Sequence, residues 1–121
     1  MERLKERVNA DKWLVHRGRF LSTTFLLEVG ATQWLITVLR GEISSVARGP
    51  FVMPSWSFAL RASEDEWAKF WQVDPQPGSH DIMALIKRRV LKAEGDLAVF
   101  MANLRYFKES LAKMRMTEEP A

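Results

Sequence analysis

The side chains that could do acid–base, nucleophilic or metal chemistry are few in this chain, and they stand apart. Its two histidines, His16 and His80, lie in different regions, and neither has a Ser or Cys arranged beside it for nucleophilic catalysis. Asp65 with Glu66, and Glu118 with Glu119, are adjacent carboxylates. Neighbours in a helical sequence point to different sides, so neither pair offers a facing acid and base. Cys is absent, which excludes disulfides and thiolate metal sites, and no metal-ligand spacing of other residues appears. The six glycines are scattered, so no phosphate-cradling loop is present. The expectation is a protein that is not an enzyme and carries no metal or cofactor.

Bulky apolar side chains are plentiful instead. Five Trp and seven Phe fall within 121 residues, enough for one domain with a sizeable core. No apolar run approaches the roughly 18 residues of a membrane-spanning helix. The start, Met1 to Arg7, is charged and lacks the apolar stretch of a signal peptide, so a cytoplasmic protein is expected. The net charge of +3 is mild, and its densest cluster is Lys87-Arg88-Arg89. That cluster reads first as a solvated helix end, and second as a patch making transient contact with an anionic membrane surface. A nucleic-acid partner would call for a larger basic stripe and a reading module, and neither is found.

The elements that must position these side chains follow from periodicity. Residues 2–16 read as a helix, with Leu4, Val8 and Val15 at turn spacing, and Arg17-Gly18-Arg19 ends it. Phe25, Leu27 and Val29 alternate on a first strand up to Gly30; Trp34, Ile36 and Val38 form one face of a second. Arg40-Gly41 supplies a tight reversal into a weaker strand, Glu42 to Arg48, with Ile43 and Val46 its only large apolar residues. Gly49-Pro50 and Pro54 lead into a fourth strand, Ser55 to Arg61, where Trp56, Phe58 and Leu60 share a face. Ser63 and Glu66 form a capping-box pair for a helix carrying Trp67, Phe70 and Trp71. Val73 to Gly78 reads as a loop, and Ser79 as the cap of a helix with Ile82, Met83, Leu85 and Ile86. A last strand spans Val90 to Glu94, and Asp96 caps a final helix. Its stripe is Leu97, Phe100, Met101, Leu104, Phe107 and Leu111.

Four nearly successive strands are most cheaply antiparallel, and the fifth must pair elsewhere. The fold class expected is α+β: a five-stranded, mainly antiparallel sheet covered by helices. One domain spans 1–121, with an N-terminal helix over 1–19, a core over 20–113 and a tail over 114–121.

This order resembles the lipid-binding domain of the sterol carrier protein type two family, over about residues 20–113. The resemblance rests on the strand pair turned at Arg40-Gly41, and on Pro54 leading the Trp56-Phe58-Leu60 strand into Ser63-Glu64-Asp65-Glu66-Trp67. Asp74-Pro75 before a helix, and Val90 to Asp96 opening the last one, complete it. Two departures stand out. Arg89 occupies the place where the family has a Gly, and the Val73–His80 loop is longer than the common version. The resemblance implies an apolar tunnel between sheet and helices for sterols, fatty acyl chains or their coenzyme A esters.

Ligand-binding candidates are therefore Trp34, Ile36, Val38, Trp56, Phe58, Leu60, Phe70, Trp71, Met83, Ile86, Leu97, Phe100, Met101, Leu104 and Phe107. Such residues fill a core more often than they line a pocket. The function expected is non-catalytic binding or transfer of a lipid, sterol or acyl ligand, with the C-terminal helix as lid. Two rivals stand beside it. One is an accessory module whose tunnel is filled by its own side chains and whose surface docks a partner enzyme or a second copy. The other is a small isomerase-type enzyme with an apolar pocket.

Overall fold

The reversal at Arg40-Gly41 shows most directly how residue type sets the chain path. Both residues adopt positive φ, 52° and 83°, as a two-residue hairpin turn that matches strand twist requires. Gly41 is obligatory on a second count: a Cβ there would collide with the carbonyl oxygen of Val15. The turn joins two strands of a computed structural model that describes residues 3–51, 55–72 and 82–114. The expected Ser79 cap, the Val73–Gly78 loop, Pro54, Asp74-Pro75, His80, Glu118 and Glu119 lie outside the described residues.

The chain runs α1 (Leu4–Ala10), α2 (Lys12–Arg17), β1 (Ser22–Val29), β2 (Thr32–Leu39), β3 (Glu42–Arg48) and β4 (Phe58–Ala62). It continues α3 (Glu64–Phe70), α4 (Ile82–Lys87), β5 (Leu91–Gly95), α5 (Leu97–Ala102) and α6 (Leu104–Ala112). The five strands form one sheet in the order β3-β2-β1-β4-β5. Three of its four ladders are antiparallel, as expected, and the parallel one joins β1 to β4. The parallel pairing falls on the fourth strand, which the sequence reading had placed in an antiparallel run with the first three. The link from β3 to β4 is no tight turn. It carries the chain past β2 and β1, and a chain that crosses over strands re-enters parallel to its start.

Ile43 and Val46 sit three apart, which strict alternation would send to opposite faces. Ser44 resolves this as an extra residue: Val38 faces Ile43 while Thr37 faces Ser45. Ile43 is buried and Val46 packs against the same core. The Ser44 hydroxyl donates to the Thr37 carbonyl at 3.2 Å and holds the bulge.

Two expected helices are each divided. Asp11, at φ −91° and ψ 95°, leaves helical geometry, and its carboxylate accepts from Leu14 N–H at 3.1 Å, so it caps α2. The same carboxylate meets Lys113 Nζ at 2.6 Å, and that hydrogen bond holds its pKa below the usual value. Asn103, at φ −122° and ψ 28°, separates α5 from α6, and its Nδ2 donates to the Val99 carbonyl at 3.0 Å. Asp96 stands ahead of α5 without a side-chain cap bond. Ser63 does cap α3, accepting from Glu66 N–H at 3.2 Å. The Glu66 carboxylate turns away from the helix start toward Lys69 at 3.5 Å and Arg88 at 3.8 Å.

The core gathers on one face of the sheet. Phe25, Leu27, Ile36, Val38, Phe58 and Leu60 meet Leu4, Val8, Leu14, Trp67, Phe70, Leu85, Phe100, Phe107 and Leu111. On the other face, Arg61 bonds Glu28 at 2.9 Å and Glu94 at 2.7 Å, beside the buried Leu26 and Ala59. Tyr106 ties the helix layer to the hairpin turn: its hydroxyl donates to the Gly41 carbonyl at 2.6 Å, and its ring packs where any Cβ on Gly18 would stand. Burial pushes the phenol up to about 12.

Tyr106→Phe should lower stability by about 1–3 kcal/mol, because the buried Gly41 carbonyl loses its donor. Denaturant titration measures this. The unfolded tyrosine ionises near 10 and the folded one near 12, so the group's contribution is intact below pH 10 and is lost as pH rises toward 12. The gap between wild type and variant should therefore narrow over that window; a gap independent of pH would contradict it. Arg89 adopts φ 63°, the left-handed region, where the resemblance led us to expect a Gly. Arg89→Gly should accordingly raise stability by about 1 kcal/mol, seen as a higher melting temperature.

Candidate functional site

The layer between sheet and helices is built from aromatic rings. Phe25 and Phe58 lie opposite each other on β1 and β4, their rings 5.1 Å apart and 2° from parallel. Phe107 of α6 stands edge-on to both, at 5.4 Å and 4.9 Å. Phe100 of α5 closes on Phe58 at 5.4 Å and on Phe107 at 5.9 Å. Each separation falls in the range where aromatic pairs attract beyond their buried area.

Most of the sequence-predicted ligand residues meet here. Ile36, Val38, Phe58, Leu60, Phe70, Phe100 and Phe107 are buried in one cluster, at 1% exposure or less. Trp34, Trp71, Met83, Ile86 and Leu104 are partly buried against it. Three stand elsewhere. Leu97 and Met101 are exposed on the outer side of α5, because the break at Asn103 ends the single stripe that the spacing suggested. Trp56 precedes β4 instead of sharing its core face, and its ring lies 5.9 Å from the Arg61 guanidinium. Phe25 and Trp67 belong to the cluster and were not among the candidates. The alternation of Phe25 with Leu27, and the helical spacing of Trp67 with Phe70, were the signals for them.

At one edge this layer opens into a cleft of about 240 Å³ lined by Val29, Thr32, Trp34, Arg48, Glu64 and Trp71. Two of the predicted residues, Trp34 and Trp71, form its aromatic walls. Trp71 is held from behind: it stacks on Trp67 at 5.2 Å, and its indole N–H donates to the Leu111 carbonyl at 2.9 Å. Trp67 in turn donates to the Glu28 carbonyl at 2.9 Å, which fixes α3 to the sheet. Arg48 lies opposite Trp34 in the ladder, with its guanidinium 5.7 Å from the ring. Arg48 was missed because counting back from the hairpin turn pairs Trp34 with Ala47; the Ser44 bulge advances the register by one. Thr32 and Arg48 also line a second cavity of about 340 Å³, with Ala31, Gln33, Gly49 and Pro50.

Among the described residues, the groups weighed for chemistry are not gathered at this layer. His16 and Asp65 are exposed, and Glu66 is engaged with Lys69 and Arg88. Among the described residues, no group of His, Asp and Glu is placed to hold a metal ion. No helix among them is long and apolar enough to cross a membrane. The cleft thus offers apolar surface, two indole faces, one cation and one carboxylate.

No protein-family model and no curated protein matches the sequence. Solved structures do match in shape. Sterol carrier protein 2 superposes with a TM-score of 0.76 over 94% of this chain and 92% of its own, at 11% identity. The sterol carrier protein domain 2 of Helicoverpa armigera gives 0.59 over 97% and 87%, at 15% identity. The ubiquinone synthesis protein UbiJ-SCP2 gives 0.59 over 98% and 88%, at 17% identity. Across nearly its whole length, this chain has the sterol carrier protein 2-like fold.

Proposed function

We propose that this domain binds a lipid, sterol or fatty acyl ligand between its sheet and helices, without catalysing a reaction on it. The observation that carries this reading is the interlayer itself: an apolar, aromatic layer with a cleft at its edge between Trp34 and Trp71. A chain leaving water there gains on the order of 0.8 kcal/mol per CH₂ buried. The likeness in fold to sterol carrier protein 2 supports the same reading.

The cleft alone is smaller than the roughly 300–1,000 Å³ of drug-sized ligand sites. A full-length ligand therefore requires the helix layer to give way. The short α5 buries one side chain, Phe100, and leaves Leu97 and Met101 exposed. In this reading α5 swings as the lid, Phe100 withdraws from Phe58, and the ligand chain takes the space between them.

One observation favours a second reading. The core rings already touch one another, so the domain could serve as an accessory module whose interior is its own filling. Such a module would dock a partner enzyme and take up no ligand.

A fluorescent acyl or sterol probe separates the two. Under the carrier reading, binding should be saturable with micromolar or better affinity and should change Trp emission, since two indoles wall the entrance. Trp34→Ala should weaken the probe about tenfold while the fold is retained, because Trp34 is only half-buried. No saturable signal with acyl, acyl-coenzyme A or sterol probes would sink the carrier reading and leave the accessory module. Phe100→Ala gives a further contrast. It should cost about 3–5 kcal/mol of stability if the ring only fills a core. In a carrier, added probe should restore part of that loss, read as a ligand-dependent rise in melting temperature.

A further inference from the structure

The two edges of the sheet are finished differently. β3 bounds one side, and α1 packs against it. Asn9 of α1 meets the outward backbone of Ile43 twice: its Oδ1 accepts from Ile43 N–H at 2.8 Å, and its Nδ2 donates to the Ile43 carbonyl at 3.0 Å. A side-chain amide thus stands where a neighbouring strand would, and that edge is blunted. β5 bounds the other side. Asp96 N–H donates to the Ser57 carbonyl at 2.7 Å, so at that position the backbone turns toward β4. Backbone direction alternates along an antiparallel ladder. Glu94 and Lys92 therefore bond to Ala59 and Arg61, while Leu91, Ala93 and Gly95 turn their backbone groups away from β4. Among the described residues no strand lies beyond β5 to receive them.

The sequence of that strand, Leu91-Lys92-Ala93-Glu94-Gly95, complements itself. Laid antiparallel on a second copy about Ala93, it sets Ala93 on Ala93, Leu91 on Gly95 and Lys92 on Glu94. The central Ala93 pair can exchange both N–H and C=O bonds, because its backbone groups point outward. The Lys92–Glu94 contact forms twice by symmetry. It lies on the face away from the core, where the Lys92 side chain is 74% exposed and only 3.9 Å from its own Glu94. Moving the axis to Lys92 or to Glu94 would place like charges directly opposite, which is unfavourable. Charge thus selects the register centred on Ala93. The same register brings the start of α5 beside the turn that precedes β5 in the second copy. Asp96 and Arg89, both exposed, then add opposite charges at each end. Leu97 and Met101, one turn apart on α5 and 40% and 50% exposed, add apolar surface just beyond the strand.

We propose that β5 is the edge by which two copies of this chain join, uniting their five-stranded sheets across a two-fold axis at Ala93. A different protein would have to supply a strand of matching charge order, and this chain already carries one. The contact uses none of the residues of the Trp34–Trp71 cleft, so it stands whether or not the interlayer takes a ligand.

Sedimentation velocity over tens to hundreds of micromolar protein tests the pairing. The intact chain should pass from monomer to dimer across that range. Ala93→Pro removes one outward N–H from each copy and no bond to β4, so the chain should stay folded and become monomeric. Lys92→Glu alone and Glu94→Lys alone each set like charges opposite and should weaken the dimer about tenfold or more. Mixed in equal amounts, these two variants carry complementary strands and should dimerise again. Recovery on mixing separates charge from any loss of folding at Glu94, whose carboxylate also holds Arg61 at 2.7 Å. A chain that stays monomeric throughout overturns the proposal. So does a dimer that Ala93→Pro leaves intact, or no recovery when the two folded charge variants are mixed.

Discussion

Phe25 and Phe58 face each other across the one parallel ladder of the sheet, and much of the remaining structure depends on that pairing. A parallel pair cannot be closed by a tight turn, so the chain must cross β2 and β1 between β3 and β4. The crossing sets β4 beside β1, and β5 pairs with the other side of β4. The two rings lie flat to one another on the core face and present a shared surface to Phe107 and Phe100. The aromatic contacts, each contributing about 0.5–1.5 kcal/mol beyond burial, therefore decide where α5 and α6 rest.

The same arrangement sets the terms on which a ligand could enter. A close-packed aromatic layer resists small displacements, and removing one ring forfeits contacts on several neighbours at once. Opening must come where the layer is thinnest in contacts. The break at Asn103 divides what would have been one long helix into two pieces. The first piece carries no charged or hydrogen-bonding side chain and buries Phe100. Its companion α6 is pinned by Tyr106 to the Gly41 turn and receives the Trp71 indole at Leu111. One helix is thus anchored by polar bonds at defined points, and the other is held by apolar contact alone, which a competing apolar chain can replace.

The two faces of the sheet divide the labour between stability and solvation. The core face is mostly apolar, with Thr23 beside Val38 and Arg48 beside Trp34 toward its ends. The other carries Arg61 between Glu28 and Glu94, with Gln33 donating to Glu28 at 3.2 Å and Thr24 meeting Thr37 at 3.3 Å. These partly exposed pairs contribute modestly to stability, and they flank a row of Ala47, Leu35, Leu26 and Ala59 that crosses β3, β2, β1 and β4.

The α+β class, the succession of strands and helices along the chain, the hairpin at Arg40-Gly41, the Ser63 cap and most inward residues of β1, β2, β4 and α6 were legible in the sequence. Local rules govern them: alternation on strands, 3.6-residue spacing on helices, and positive φ at a turn. Tertiary structure decided the rest. Which strand ran parallel depended on a crossover whose direction no local pattern records. The Ser44 bulge was decided by burial, since only an extra residue puts both Ile43 and Val46 on the core face, and it alone brought Arg48 beside Trp34. Asp11 and Asn103 divided helices whose apolar spacing ran on without interruption. Tertiary hydrogen bonds and packing outweigh the modest propensity of a continuous helix. Met101 and Leu97 matched the stripe and still faced outward, because a helix face becomes interior only when another surface is placed against it.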